Sequence, residues 1–211
     1  MSYGHLKSTG SDEPQPFSYA WLRALKQDFG SELLLLLFAV QHLIKGFVAN
    51  LSGRATPYLC KAYEVPAQEI QIWKTVIYSP YVLKPIFGLI SDLLPIAGYH
   101  KGPYMFLATS AGLVSSVAIG AGIVTSLNFL VVGLFLLELC ICTNDLLTEA
   151  LYARELQEHA RLGQSLLTYV FAGMTMWSLA ANLSAGFMLE YIGAQSTFLA
   201  LAPAIAPALL A

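Results

Sequence analysis

Charged residues are scarce in this sequence of 211 residues, since Asp, Glu, Lys and Arg make up only 11% of it. An ordinary soluble domain contains roughly 25%. So few charges cannot cover the surface of a soluble protein of this length, and this argues against a soluble fold. The formal net charge of −2 is too small to attract nucleic acid. We therefore predict a membrane protein whose immediate surroundings are a lipid bilayer and that has no nucleic-acid partner.

Cysteine and catalytic motifs are also in short supply. The three cysteines are Cys60, Cys140 and Cys142. The last two stand two positions apart on an apparent helix and therefore face different directions, which speaks against a redox pair or a metal site. The sequence contains neither His-Glu-x-x-His nor Gly-x-Ser-x-Gly, the motifs of metalloproteases and serine hydrolases. We predict no metal, no cofactor and no enzymatic activity.

Long apolar runs are what the sequence does contain, and 56% of its residues are hydrophobic. Five runs reach the roughly 20 residues that cross a bilayer. A sixth is interrupted by Pro203 and Pro207 and stops where the sequence stops. The predicted spans are residues 33–51, 70–90, 103–125, 127–147, 165–189 and 195–211. They predict an all-α membrane protein with a transmembrane bundle over residues 31–211, and a chain truncated within its sixth helix.

The first 30 residues are polar and predict a cytoplasmic tail. Within it, residues 17–29 alternate aromatic and aliphatic side chains with Arg23 and Lys26, which is typical of a helix lying in the membrane interface. A disordered tail is the alternative. Lysine and arginine outside the spans favour a cytoplasmic amino terminus. The inner side would hold Lys7, Arg23, Lys26, Lys101, Arg154 and Arg161, and the outer side Arg54, Lys61 and Lys74. The plasma membrane is the favoured location, and an organelle is the alternative.

Several ionisable residues fall inside the predicted spans, where a charge facing lipid costs at least about 2.5 kcal/mol. Gln41 and Lys45 are one helical turn apart, with His42 beside them, and Lys84 lies near the end of the second span. On the fourth span, Glu138, Asp145 and Glu149 recur at i, i+7 and i+11, which puts them on one face. The pattern predicts a shared polar cavity.

Simpler interpretations remain for each of these residues. Lys45 and Glu138 lie at similar depth and would form an ion pair that only buries both charges. Lys84 would reach the cytoplasmic interface with its long side chain. Asp145 and Glu149 would be solvated near the inner face or cap a loop, and His42 would be a hydrogen-bonded interior residue.

Two motifs between the second and third spans resemble a known signature. Gly88-x-x-Ser91-Asp92, followed by Gly98-Tyr99-His100-Lys101, resembles the loop motif of the major facilitator superfamily. Residues 58–68, 84–104 and 144–163 together resemble the folate–biopterin transporter family, a branch of that superfamily. The resemblance covers most of residues 30–195 and implies the amino-terminal six-helix bundle of a twelve-span carrier. The chain departs from the family by its smaller number of spans and by Gly102, which replaces a further basic residue.

The resemblance implies a transporter that moves folate, biopterin or a related pteridine by alternating access, with proton coupling as an option. Its partners would be the small-molecule substrate and either a missing carboxy-terminal half or a second copy of the chain. The candidate substrate-binding residues are Gln41, His42, Lys45, Tyr78, Tyr81, Lys84 and Glu138, with Phe47 and Trp177 as further rings for stacking. The candidate proton-coupling residues are Glu138, Asp145 and Glu149, and the predicted gate comprises Gly88, Asp92, Gly98, His100 and Lys101. The alternatives are a non-transporting membrane fragment or interaction partner, and a carrier of another small metabolite.

Overall fold

The computed structural model describes residues 15–158 and 162–210, and every regular element within these ranges is a helix. The prediction of an all-α membrane protein is confirmed. Lys7 and Arg161, which count towards the predicted orientation, lie outside the described residues, as do residues 1–14 of the predicted tail.

The first helix is continuous over Tyr19–Ala62 but contains two irregularities. Helix α1 (Tyr19–Leu37) begins after Ser18, whose hydroxyl accepts a hydrogen bond from the Trp21 backbone N–H at 3.1 Å, as an N-cap residue does. The helix kinks at Gly30, where φ is 80°, a backbone conformation that glycine tolerates. A π-helix (Phe38–Val48) then leads into α2 (Ala49–Ala62).

The predicted second span, residues 70–90, is a series of three short helices: α3 (Ala67–Ile77), α4 (Ser79–Val82) and α5 (Lys84–Leu93). The breaks fall at Tyr78 and Leu83, two residues before Pro80 and Pro85. Proline lacks an N–H group and so suits the first turn of a helix rather than its interior. The second break places Lys84 at the very start of α5.

The remaining helices are long and apolar. They are α6 (Gly102–Gly120), α7 (Leu127–Glu158), α8 (Gly163–Phe187) with a π-helical extension (Met188–Ile192), and α9 (Ala194–Ile205) with a 3-10 turn (Ala206–Leu209). Four helices of the described chain are long and apolar enough to cross a membrane: Tyr19–Ala62, Gly102–Gly120, Leu127–Glu158 and Gly163–Ile192. The protein is therefore a multi-pass membrane protein, while its division into six spans stays a prediction.

Glycines let the helices approach closely. A Cβ at Gly112 of α6 would lie 2.5 Å from the Cys140 Cβ of α7, and one at Gly120 would strike the backbone of Leu199 on α9. Small residues at contacts of this kind are typical of helix packing in membranes, where lipid supplies no hydrophobic driving force. Helix α7 lies at the centre, against the first helix, α3 to α5 and α6. Glu138 and Asp145 of this helix are buried in the bundle.

Candidate functional site

Asp145 of α7 is the centre of a cluster of charged side chains drawn from three segments of the chain. Its Oδ1 lies 2.6 Å from Lys45 Nζ of the first helix. Its Oδ2 lies 2.7 Å from Lys84 Nζ of α5. The Gln41 side-chain amide donates to Oδ1 at 3.3 Å. Each carboxylate oxygen thus receives one lysine, and the two lysines are held side by side.

Glu149 completes the cluster one helical turn further along α7, where its Oε1 lies 2.9 Å from Lys45 Nζ. Two lysines and two carboxylates balance in charge, which lowers the cost of placing them within the bundle. The Asp145 side chain is 5% exposed, whereas the Lys45, Lys84 and Glu149 side chains are 28%, 25% and 40% exposed. The cluster is therefore buried at Asp145 and open at its other members.

The π-helix positions the contribution of the first helix. It contains Gln41, His42 and Lys45. Such segments are rare and are found frequently at functional sites. The Gln41 and Lys45 side chains reach Asp145 on α7, while His42 points to α8, so the segment serves two neighbouring helices.

Glu138 lies two helical turns before Asp145 on α7 and is buried. Among the described residues it forms no ion pair, and its polar neighbour is the Tyr81 side chain. The Tyr81 ring also lies 5.6 Å from Lys84 Nζ and 6.3 Å from the Tyr78 ring. Tyr78, Tyr81 and Glu138 therefore form a second polar group beside the charged cluster.

The expected ion pair between Lys45 and Glu138 is wrong, because Lys45 pairs with Asp145 and Glu149 instead. The depth estimate behind it assumed straight helices of uniform rise. The kink at Gly30 and the π-helix change the rise along the first helix, and the break at Leu83 changes the start of α5. Lys45 and Lys84 meet at one carboxylate, that of Asp145.

His42 is held by α8. Its Nε2 donates to the Tyr169 carbonyl oxygen at 3.0 Å, and its ring packs 4.7 Å from the Tyr169 ring. Gly173 makes this possible, since a Cβ there would strike the imidazole. His42 is thus a hydrogen-bonded interior residue, as the simpler interpretation of the sequence holds. Tyr169 and Gly173 were missed as neighbours, although Gly173 shares its span with the small residues Ala180, Ala181, Ser184 and Gly186, a composition typical of close helix packing.

The residues of the predicted gate lie in α5 and in the connection from α5 to α6. That connection contains a tight turn. Ile96 and Tyr99 exchange two backbone hydrogen bonds of 2.9 and 3.0 Å, with Ala97 and Gly98 at φ of 51° and 85°. Two consecutive positive φ values are typical of a type I′ turn and explain the glycine. Asp92 and His100 are exposed, Lys101 precedes α6, and Gly88 packs near Leu146 of α7. The role of these residues as a gate stays a prediction.

A family model described as the BT1 family matches residues 45–209 of the chain. The chain belongs to this family, that of the folate–biopterin transporters. The matched region includes Lys45, Lys84, Glu138, Asp145 and Glu149, so all members of the charged cluster except Gln41 fall within it.

Three relatives illustrate the similarity. Probable folate-biopterin transporter 6 of Arabidopsis thaliana is 33% identical over 106 residues, which are 50% of this chain and 21% of that protein. Probable folate-biopterin transporter 2 of the same plant is 22% identical over 179 residues, 84% of this chain and 36% of the relative. Folate-biopterin transporter of Synechocystis sp. is 25% identical over 122 residues, 57% of this chain and 24% of the relative. The chain thus matches at most 36% of the length of these relatives. No solved structure matches it.

Proposed function

We propose that this chain works in a membrane transporter that carries folate, biopterin or a related pteridine across the bilayer by alternating access. Family membership and the names of the relatives support this proposal. Alternating access needs two bundles that rock about a site near the middle of the membrane. The second bundle would come from a longer chain or from a second copy of this one.

The observation that carries the proposal is the sharing of Asp145 by Lys45 and Lys84. Two cations side by side form a receptor for a carboxylate, and the glutamyl part of folate supplies carboxylates. Glu149 is the most exposed member of the cluster, so it is the carboxylate that a substrate would displace from Lys45. Asp145 would remain in place and keep both ammonium groups oriented, a form of preorganisation that lowers the cost of binding.

Uptake of radiolabelled folate by cells expressing the full-length protein tests this role. Lys84→Met should lower uptake about tenfold or more, because a charge-assisted hydrogen bond contributes roughly 1.5–3 kcal/mol. Lys61→Met is the matched control, since Lys61 is exposed at the end of α2. Uptake of the two variants should differ although both lose one positive charge. Wild-type folate uptake by the Lys84 variant, at equal surface expression, would remove Lys84 from the site.

Glu138 is the residue we propose for proton coupling. A buried carboxyl group that has no ion-pair partner among the described residues is expensive to hold as an anion in low dielectric. It is therefore suited to take up a proton in one conformation of the transporter and to release it in the other. Asp145 and Glu149, which already neutralise lysines, are less suited to this role.

A further inference from the structure

A cavity of about 260 Å³ lies between the amino-terminal segment, the π-helix and α8. Its wall is largely aromatic. The lining residues are Phe17, Trp21, Leu22, Phe38, His42, Tyr169, Gly173, Met176 and Trp177. None of them belongs to the Asp145 cluster.

The rings form a connected series along the cavity. The Trp21 ring lies 5.5 Å from Phe17 and 6.4 Å from Tyr169. The Phe38 ring lies 5.4 Å from His42 and 6.1 Å from Trp177, each at a steep angle. A ligand with a flat aromatic ring gains most from such walls, because ring faces and edges pair favourably at 4.5–7 Å.

Polar groups also belong to this lining, and His42 is one of them. Because His42 Nε2 donates to the Tyr169 carbonyl, the neutral ring keeps Nδ1 as a hydrogen-bond acceptor, and Nδ1 makes no hydrogen bond to the described residues. A planar ring that carries an N–H or amino group would therefore find a partner in His42. The volume is slightly below the roughly 300 Å³ of the smallest typical ligand pockets, so it suits a fused bicyclic ring and not an extended molecule.

The cavity and the lysine cluster share the π-helix, which contributes His42 to one and Lys45 to the other. His42 precedes Lys45 by three residues in the same π-helix, which is less than one turn, and Trp177 packs against Phe38 on one side and Phe47 on the other. An extended ligand could place a ring in the cavity and a carboxylate at Lys45 together.

We infer that the cavity lined by Phe38, His42 and Trp177 binds the planar nitrogen-containing ring of the transported substrate, while the lysine cluster binds its carboxylate. This assignment rests on the proposed function. The two subsites would bind different parts of one molecule. Ligand fragments that carry only one of these parts therefore test the inference.

The test is direct binding to the chain reconstituted in lipid nanodiscs. The sequence contains three tryptophans, so Trp73→Phe leaves only Trp21 and Trp177, both in the cavity wall. Biopterin, which has the ring and no carboxylate, should quench their fluorescence saturably. p-Aminobenzoylglutamate, which has the carboxylates and no pterin ring, should leave biopterin binding unchanged.

Gly173→Ala should weaken biopterin binding about tenfold or more, because its Cβ would drive the His42 ring into the cavity. Gly186→Ala is the matched control on the same helix, since a Cβ there meets open space, and its biopterin affinity should equal that of the parent. Phe38→Leu, which removes a half-buried ring from the wall, should weaken binding severalfold and covers the case in which the Gly173 variant does not fold.

Three results would overturn the inference: no saturable quenching by biopterin, equal affinity in the Phe38, Gly173 and Gly186 variants, or strong quenching by bromine-labelled acyl chains that biopterin does not relieve. The last result would mean that the cavity belongs to lipid. These failures are separate from failure of the proposed function. Saturable biopterin binding without folate or biopterin uptake by cells would overturn transport and leave the ring subsite intact.

Discussion

Asp145 is the side chain on which the charged cluster depends. It bridges two lysines with its two oxygens and accepts from Gln41 as well. The sequence placed Asp145 on the correct face of α7 but suggested a proton-coupling role or a loop cap. Spacing along one helix says which residues share a face, and it does not say which side chains of other helices reach them.

We expect Asp145→Asn to destabilise the protein by an amount near the lower end of the roughly 3–5 kcal/mol measured when one partner of a buried ion pair is removed. The lysines retain 28% and 25% exposure, which lets water compensate in part. The free energy of unfolding, measured by denaturant titration in mild detergent, reports this loss.

The double variant with Lys84→Met provides the control. Because the second change removes one of the unpaired cations, the double variant should be more stable than the sum of the two single changes predicts, by roughly 0.5–3 kcal/mol. Strict additivity would mean that the 2.7 Å contact between Lys84 and Asp145 contributes no coupling energy.

Glu138→Gln separates proton coupling from substrate binding. A glutamine keeps the shape and the neighbour Tyr81 but cannot carry a proton, so folding should be unaffected while uptake loses its dependence on the proton gradient. Uptake at several external pH values, with and without a protonophore, measures this. A variant that still responds to the protonophore like the parent would show that the coupled proton travels elsewhere.

At the scale of helices, the first helix combines two features that periodicity does not reveal. The change of direction at Gly30 lets Trp21, Leu25 and Phe29 pack beside Tyr152 and Leu166. The π-helix then turns Gln41 and Lys45 towards α7. Apolar run length predicts that a helix is present, whereas its internal geometry follows from contacts with its neighbours.

Gly46 lies within this π-helix and sets its distance from α8. A Cβ at this position would lie 2.8 Å from the Met174 carbonyl oxygen and 3.0 Å from the Trp177 Cβ. A backbone atom cannot move aside without moving its helix, so we expect Gly46→Ala to cost roughly 1–3 kcal/mol in the free energy of unfolding.

Gly53→Ala on the same continuous helix is the comparison for this prediction. Its Cβ would meet only the Tyr78 hydroxyl at 3.5 Å, an ordinary contact, so the change should be neutral or slightly stabilising. If both alanine variants unfold at the same denaturant concentration, close packing of the π-helix on α8 does not contribute to stability.

At the scale of the whole molecule, α7 organises the bundle. It contacts the first helix, α3 to α5 and α6, and it supplies Glu138, Asp145 and Glu149 to the interior. This arrangement explains why the three acidic residues could be predicted to face a common interior from their spacing. Their partners could not be assigned in this way, because the lysines arrive from helices whose kinks and breaks set their depth.

The predicted orientation is testable by labelling introduced cysteines. Cys60, Cys140 and Cys142 are buried and should not react with a membrane-impermeant maleimide. On intact cells we expect Lys61→Cys to be labelled and His100→Cys to be labelled only after the membrane is permeabilised, since both positions are exposed in the structure. The reverse labelling pattern would place the amino terminus outside.

Composition, run length and helical spacing by themselves determined the class of this protein: a helical bundle for a lipid environment, with ionisable residues that share one helix face. That outcome follows because the free energy of placing a residue in lipid or in water depends mainly on its own side chain and not on its tertiary contacts. Only the tertiary structure decided that Lys45 and Lys84 share Asp145 and that His42 joins an aromatic cavity on α8. Those choices depend on distances of a few ångströms between residues that are 61 to 127 positions apart in the chain. The kink, the π-helix and the proline breaks set these distances together.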